Sequence, residues 1–150
     1  MTATGHALVA TIIAAKFSNP AIGLPICLFS HFACDILPHW DEGTHWRQKT
    51  KLRFFNETVF DVILSFTLSF VVYKYIFLQN NFIYLYSCML FAQLPDWLSS
   101  AYLILGINNP VFIWVYRLQR KLNKKLDKPW GIVTQIGAIV MIYFVLYRIF

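Results

Sequence analysis

Residues 31–46, HFACDILPHWDEGTHW, hold three histidines and three acids within sixteen positions, where an apolar run of membrane length stops. His31 and Asp35 are spaced i, i+4, so on a helix they share one face and can reach a common ligand. Glu57 and Asp61 repeat that spacing. Helical bundles that bind metals use this arrangement, with imidazole and carboxylate groups projecting inward from facing helices. Pro38 ends or bends the helix, which lets His39, and with it Asp41, turn back towards the same point. A carboxylate inside a membrane segment costs a few kcal/mol, and a divalent cation shared by several such groups offsets the cost. Mixed imidazole and carboxylate ligation suits zinc, manganese or iron better than calcium or magnesium.

The elements that must position these residues are apolar. Of 150 residues, 58% are hydrophobic and 18% aromatic, and the mean hydropathy is +0.54, which places the chain among integral membrane proteins of one domain, residues 1–150. Runs near the length needed to cross a bilayer predict spans at residues 57–78, 82–105 and 130–147. Residues 7–17 and 21–37, parted by Asn19 and Pro20, predict a helical hairpin whose first arm is short or tilted. No Lys or Arg precedes the first run and a second span follows it, so the segment reads as retained rather than as a cleaved signal peptide. Cys27, Cys34 and Cys88 lie inside predicted spans without CxxC spacing and read as packing residues.

The net charge of +6 is concentrated in two loops. Arg47, Lys49, Lys51 and Arg53 follow the second span; Arg117, Arg120, Lys121, Lys124, Lys125 and Lys128 follow the fourth. By the positive-inside rule both loops are cytoplasmic, which predicts an all-α bundle of five spans with the N-terminus inside and the C-terminus outside. Topology and attraction to anionic lipid headgroups account for these charges without nucleic acid. The same orientation carries His6, His31, Asp35, His39, Glu57, Asp61 and Asp96 to one depth at the cytoplasmic face. Two local readings compete at the edges of this set. Glu57 after Asn56 as N-cap could simply complement a helix dipole, and His45 reads as plain surface in a wet loop with Asp41 and Glu42. The fifth span, with only Thr134 and Gln135 as polar residues near its start, reads as a packing helix. The segments ILPHW, residues 36–40, and QLPDW, residues 93–97, share the tetrad LPxW and set Pro38 against Pro95 and His39 against Asp96, as a duplicated helical hairpin or a chance match would.

The pattern of TGH ending at His6, then H-x3-D-x2-P-H-x-D from His31 to Asp41, then LPD ending at Asp96, resembles small bacterial inner-membrane proteins classed as membrane-bound metal-dependent hydrolases. The resemblance covers about the first hundred residues. It implies metal ligation by His6, His31, Asp35, His39 and Asp96. Where better-known members carry His-Arg followed by Thr-His-Ser, this chain has only GTHW, residues 43–46, with no Arg ahead of it.

The leading expectation is a membrane hydrolase with one or two divalent metals, zinc or manganese, acting at the cytoplasmic face of an inner membrane on a phosphoester of a lipid-borne substrate. Glu57 or Asp61 would then be bridging ligand or general base. One alternative is a non-catalytic membrane protein whose polar cluster, with or without metal, orders the bundle and binds lipid or protein partners. Another is an ion or proton carrier, for which polar residues should continue through the outer half; Lys74 and Gln135 are the only candidates.

Overall fold

Three of the helix starts are written in the sequence as asparagine caps. Asn19, Asn81 and Asn109 accept hydrogen bonds from the backbone N–H groups of Ala21 (2.9 Å), Tyr84 (3.1 Å) and Val111 (2.8 Å), and Pro20 and Pro110 occupy the first helical position after theirs. The structure, a computed structural model, describes residues 1–149. Its six α-helices are α1 (Ala3–Lys16), α2 (Pro20–Ile36), α3 (Lys51–Val71), α4 (Phe82–Leu103), α5 (Pro110–Leu122) and α6 (Trp130–Phe144). Single π-helical stretches, Val72–Ile76 and Val145–Ile149, extend α3 and α6. Among the described residues there is no β-strand, so the all-α expectation holds.

The short arm of the predicted hairpin is the hub of the bundle. From Gly5 to Ala14 nearly every residue of α1 is buried, and the helix packs against α2, α3, α4 and α6. Ala7, Ala10 and Ala14 let those neighbours approach closely, as small residues do between membrane helices. Around it the usual distribution of side chains is reversed. Thr11, Ser65, Ser69 and Gln93 are buried, whereas Phe60 and Ile63 of α3 and Ile136 and Val140 of α6 are exposed.

Two helices, Lys51–Ile76 and Trp130–Arg148 with their π extensions, are long and apolar enough to cross a membrane. Only 22% and 17% of their apolar windows are buried, unlike the core helix of a soluble protein. The five-span expectation is therefore met by two helices on length and composition. At 14 and 17 residues, α1 and α2 rise only about 21 and 26 Å, short of a hydrocarbon core about 30 Å thick. The second half of α4 carries Gln93, Pro95 and Asp96, which lower its apolar character.

Two further differences concern the basic loops. α3 begins at Lys51, with the Thr50 hydroxyl accepting from Arg53 N–H, so Asn56 is not a cap and Glu57 lies beyond the first turn. The second basic loop contains α5, which folds back on α4 and α2 and buries Val115 and Gln119. After α5, residues 124–126 run alongside the end of α2. Lys124 N–H donates to the Asp35 carbonyl (3.1 Å), His39 N–H to the Lys124 carbonyl (2.9 Å) and Leu126 N–H to the His39 carbonyl (2.7 Å).

The start of α6 closes on the same segment. Trp40 N–H donates to the Gly131 carbonyl (3.2 Å), and a Cβ added at Gly131 would lie 2.6 Å from the Trp40 nitrogen. Gly131→Ala is expected to cost about 1–3 kcal/mol through this overpacking, read as a lowered thermal midpoint in detergent. Gly137→Ala, which meets no described atom within 4 Å inside α6, should not lower the midpoint and is expected to raise it slightly through helix propensity.

Candidate metal centre

Asp35, on the last turn of α2, is almost fully buried and faces three imidazoles. Its Oδ1 lies 3.3 Å from His6 Nε2 and 3.7 Å from His39 Nε2, and its Oδ2 lies 3.4 Å from His31 Nε2. His31 Nε2 is in turn 3.7 Å from Asp96 Oδ1. His6 comes from α1, His31 from α2, Asp96 from α4, and His39 from the turn after α2. All five residues that the sequence pattern groups are brought together. The ligand atoms of His6, His31 and Asp96 lie within 4.8 Å of one another and could hold a metal ion.

The donor chemistry fits a cation. His31 Nδ1 is 2.8 Å from the Ala92 carbonyl and His39 Nδ1 is 2.7 Å from the Leu37 carbonyl. A carbonyl only accepts, so each Nδ1 carries the proton and each Nε2 presents its lone pair to the cluster. This is the outer hydrogen bond that metal-binding histidines ordinarily make. His6 stacks on His31 with ring centroids 4.1 Å apart and planes 20° from parallel, and both its ring nitrogens are buried without a hydrogen-bond partner. Ligand atoms about 2.1 Å from a tetrahedral zinc stand about 3.4 Å from one another, and the donor pairs above span 3.3–3.7 Å. His6, His31, Asp35 and His39 are closed off from solvent, while the Asp96 side chain is 45% exposed and forms the open side.

Two contacts close the cluster that sequence reasoning did not include. Gln119 of α5 donates from Nε2 to His31 Nε2 (2.8 Å) and to Asp96 Oδ1 (2.7 Å), and its Oε1 accepts from the buried Ser99 hydroxyl. The Met1 amino nitrogen lies against Asp35 Oδ1 and 2.7 Å from His39 Nε2. The signal for Gln119 was present in Asn109-Pro110 as a helix start, with Val115 and Gln119 one turn apart on the helix that follows.

Glu57 and Asp61 are committed elsewhere. Glu57 pairs with Lys49 (2.6 Å) and Arg53 (2.8 Å) at the loop end of α3. Asp61 accepts from Ala3 N–H (2.6 Å), Thr4 N–H (3.2 Å) and the Thr4 hydroxyl (2.6 Å), so it caps α1 from a neighbouring helix. Asp41 is drawn out of the wet loop: Oδ1 accepts from Lys125 Nζ (3.0 Å) and the Thr44 hydroxyl (3.1 Å), and Oδ2 lies 3.7 Å from His39 Nε2. Burial opposes its charge, but His39 and Lys125 outweigh that and hold the Asp41 carboxyl below the usual carboxylate range. Burial, with the nearby Asp61 carboxylate, pushes the neighbouring Glu42 up to about 7. His45 is at the surface, paired with Asp127 at 2.8 Å.

Gln135, a candidate for an outer-half polar path, lies at the cluster end instead. Its Oε1 accepts from Thr2 N–H (3.1 Å) and its Nε2 donates to the Trp40 carbonyl (2.6 Å). The repeat is only partly mirrored, since Pro38 lies beyond the end of α2 whereas Pro95 lies inside α4. His39 and Asp96 nonetheless flank Asp35 and His31.

No family model, no curated protein and no solved structure matches the chain.

Asp61→Ala leaves Thr2 as the N-cap of α1 but removes the acceptor for Ala3 and Thr4 N–H, and is expected to cost about 1–2 kcal/mol of stability while leaving the metal content of the purified protein unchanged. Thermal unfolding in detergent and elemental mass spectrometry on the same preparation check both halves. Loss of metal from a folded Asp61→Ala variant would instead place Asp61 in the cluster.

Proposed function

We propose that the chain is a multi-pass inner-membrane hydrolase that uses a divalent metal, zinc or manganese, at the cytoplasmic face to cleave a phosphoester of a lipid-borne substrate. The observation that carries this reading is the convergence of three imidazole lone pairs and two carboxylates, four of the five residues closed off and Asp96 open. A purely structural metal site is closed on all sides, whereas a catalytic one keeps a position for water or substrate. Orientation rests on the two basic loops, which flank the cluster end of the bundle.

The surroundings suit an amphiphilic phosphate. A cavity of about 310 Å³ beside the Asp41 loop is lined by Trp40, Thr44, Lys49, Arg53 and Lys128, among others. Lys49 and Arg53 neutralise Glu57 there, and Lys128 Nζ stands 3.6 Å from the Trp40 ring centroid. On the bundle side an apolar groove of about 290 Å³ runs between α1, α2 and α6, from Cys34, next to Asp35, down to Ile26 and Leu146. It is shaped for an alkyl or isoprenyl chain whose headgroup reaches the cluster.

A bound divalent metal would lower the pKa of water and polarise the phosphoryl oxygen. The chain supplies the rest. His6, His31, Asp35, His39 and Asp96 hold the ion, the outer carbonyls of Ala92 and Leu37 orient two of the rings, and the exclusion of solvent strengthens every charge interaction. Glu57 is engaged by Lys49 and Arg53 and Asp61 by the start of α1, so neither carboxylate is free to take the proton.

Detergent-purified protein is expected to carry stoichiometric metal by elemental mass spectrometry, lost in folded His31→Ala and Asp96→Asn variants. In mixed micelles it should release phosphate or a phosphorylated headgroup from long-chain lipid phosphates. Metal-free wild-type protein after reconstitution would overturn the reading.

A further inference from the structure

Gln119 stands at the open side of the cluster with both ends of its amide engaged. Its Oε1 accepts from the buried Ser99 hydroxyl, so Nε2 and its two N–H groups are turned inward. One N–H donates to His31 Nε2 (2.8 Å) and the other to Asp96 Oδ1 (2.7 Å). His31 and Asp96, with His6, are the residues whose ligand atoms lie close enough together to hold a metal ion. The amide therefore touches two of the three atoms that a cation would use.

At Asp96 the two demands are compatible, because a carboxylate oxygen has a lone pair to spare. At His31 they are not. Its Nδ1 proton is given to the Ala92 carbonyl, so Nε2 has a single lone pair, which serves an N–H or a cation but not both. A cation held by His31 thus releases one Gln119 N–H, and Ser99 keeps that group turned towards the ion. A donor hydrogen and a cation repel one another unless an anionic oxygen lies between them and binds both. The helix that delivers the amide suits such a ligand. α5 buries Val115 and Gln119, and its outer face exposes Trp114, Arg117, Arg120 and Lys121, an aromatic and three cations of the kind that meet anionic headgroups.

Resting on the metal-dependent reading above, we propose that Gln119 is the substrate-binding donor of this site. Its released N–H and the cation at His6, His31 and Asp96 hold one anionic phosphoryl oxygen between them. The oxygen that fits there carries negative charge before any bond is broken, as a phosphate monoester or diester does and a neutral carboxylic ester does not.

Full-length protein in detergent, loaded with Mn²⁺ and freed of unbound ion, is titrated with inorganic phosphate and separately with a short-chain phosphatidic acid. Paramagnetic broadening of the phosphorus resonance reports contact with the ion. Both ligands are expected to be broadened by wild-type protein, the phosphatidic acid at the lower concentration. Gln119→Ala should raise each dissociation constant about 10-fold or more. Gln119→Glu, equal in size but with a carboxylate in place of the donor, should raise it further, and both variants should keep their metal by elemental mass spectrometry. Unchanged phosphate affinity in the two metal-loaded variants would overturn the donor role. Loss of metal from folded Gln119→Ala would also overturn it, by making the amide a ligand through Oε1, and would leave the metal-dependent reading standing. Inorganic phosphate bound as tightly as the phosphatidic acid would keep Gln119 in its role and remove the lipid-borne substrate. Wild-type protein that takes up no Mn²⁺ would sink the metal-dependent reading and this inference together.

Discussion

A buried carboxylate with three imidazoles around it is the constraint on which the rest of this structure depends. Asp35 lies at 1% exposure in a bundle whose outer surface is phenylalanine, isoleucine, leucine and valine. Its charge is tolerable only if neighbouring groups or a cation compensate it, and the structure places His6, His31 and His39 within 3.3–3.7 Å of its oxygens, with the Met1 amino group beside them. That demand explains features which otherwise look unrelated. α1 enters the middle of the bundle so that His6 can stack on His31. The α2 helix stops at Ile36, ahead of Pro38, so that His39 can fold back beside Asp35.

The groups that hold the cluster in place form a second ring. Asp61 grips the start of α1, Gln135 ties Thr2 to Trp40, and residues 124–126 hold the backbone of His39. Gln119 spans His31 and Asp96 from α5. Each comes from an element distant in sequence from the residue it holds, so the cluster is assembled by the whole chain and not by the His31 to Asp41 motif alone. The fifth predicted span is accordingly more than a packing helix, since Thr134 and Gln135 bind the Pro38 and Trp40 carbonyls.

The five residues of the cluster were legible because their chemistry is costly in an apolar context, and cost makes them conspicuous. His31 and Asp35 share a helix face by spacing alone. The supporting ring was not legible for the same reason in reverse. Gln119 carries no charge and does not stand out, Gln135 stood out only as a candidate for an outer-half path, and α5 was hidden by six basic residues that read as loop. Glu57 and Asp61 misled because i, i+4 spacing shows only that two side chains share a face, not what lies opposite. Opposite Asp61 lies the N-terminus of α1, whose unpaired N–H groups need an acceptor; Glu57 meets lysine and arginine. Span counting is matched by two helices; α1, short and covered on most sides by its neighbours, carries no length signal of that kind.

That central position of α1 bears on how the protein comes to exist. α1 precedes in sequence every helix that surrounds it, and at 14 residues it has little surface to bury until those neighbours are in place. Its final surroundings are complete only when α6, the last helix, has docked against it. Folding must therefore bring the two ends of the described helix order together before the walls around α1 are complete, so a defect in α6 is felt at α1 although the two are far apart in sequence.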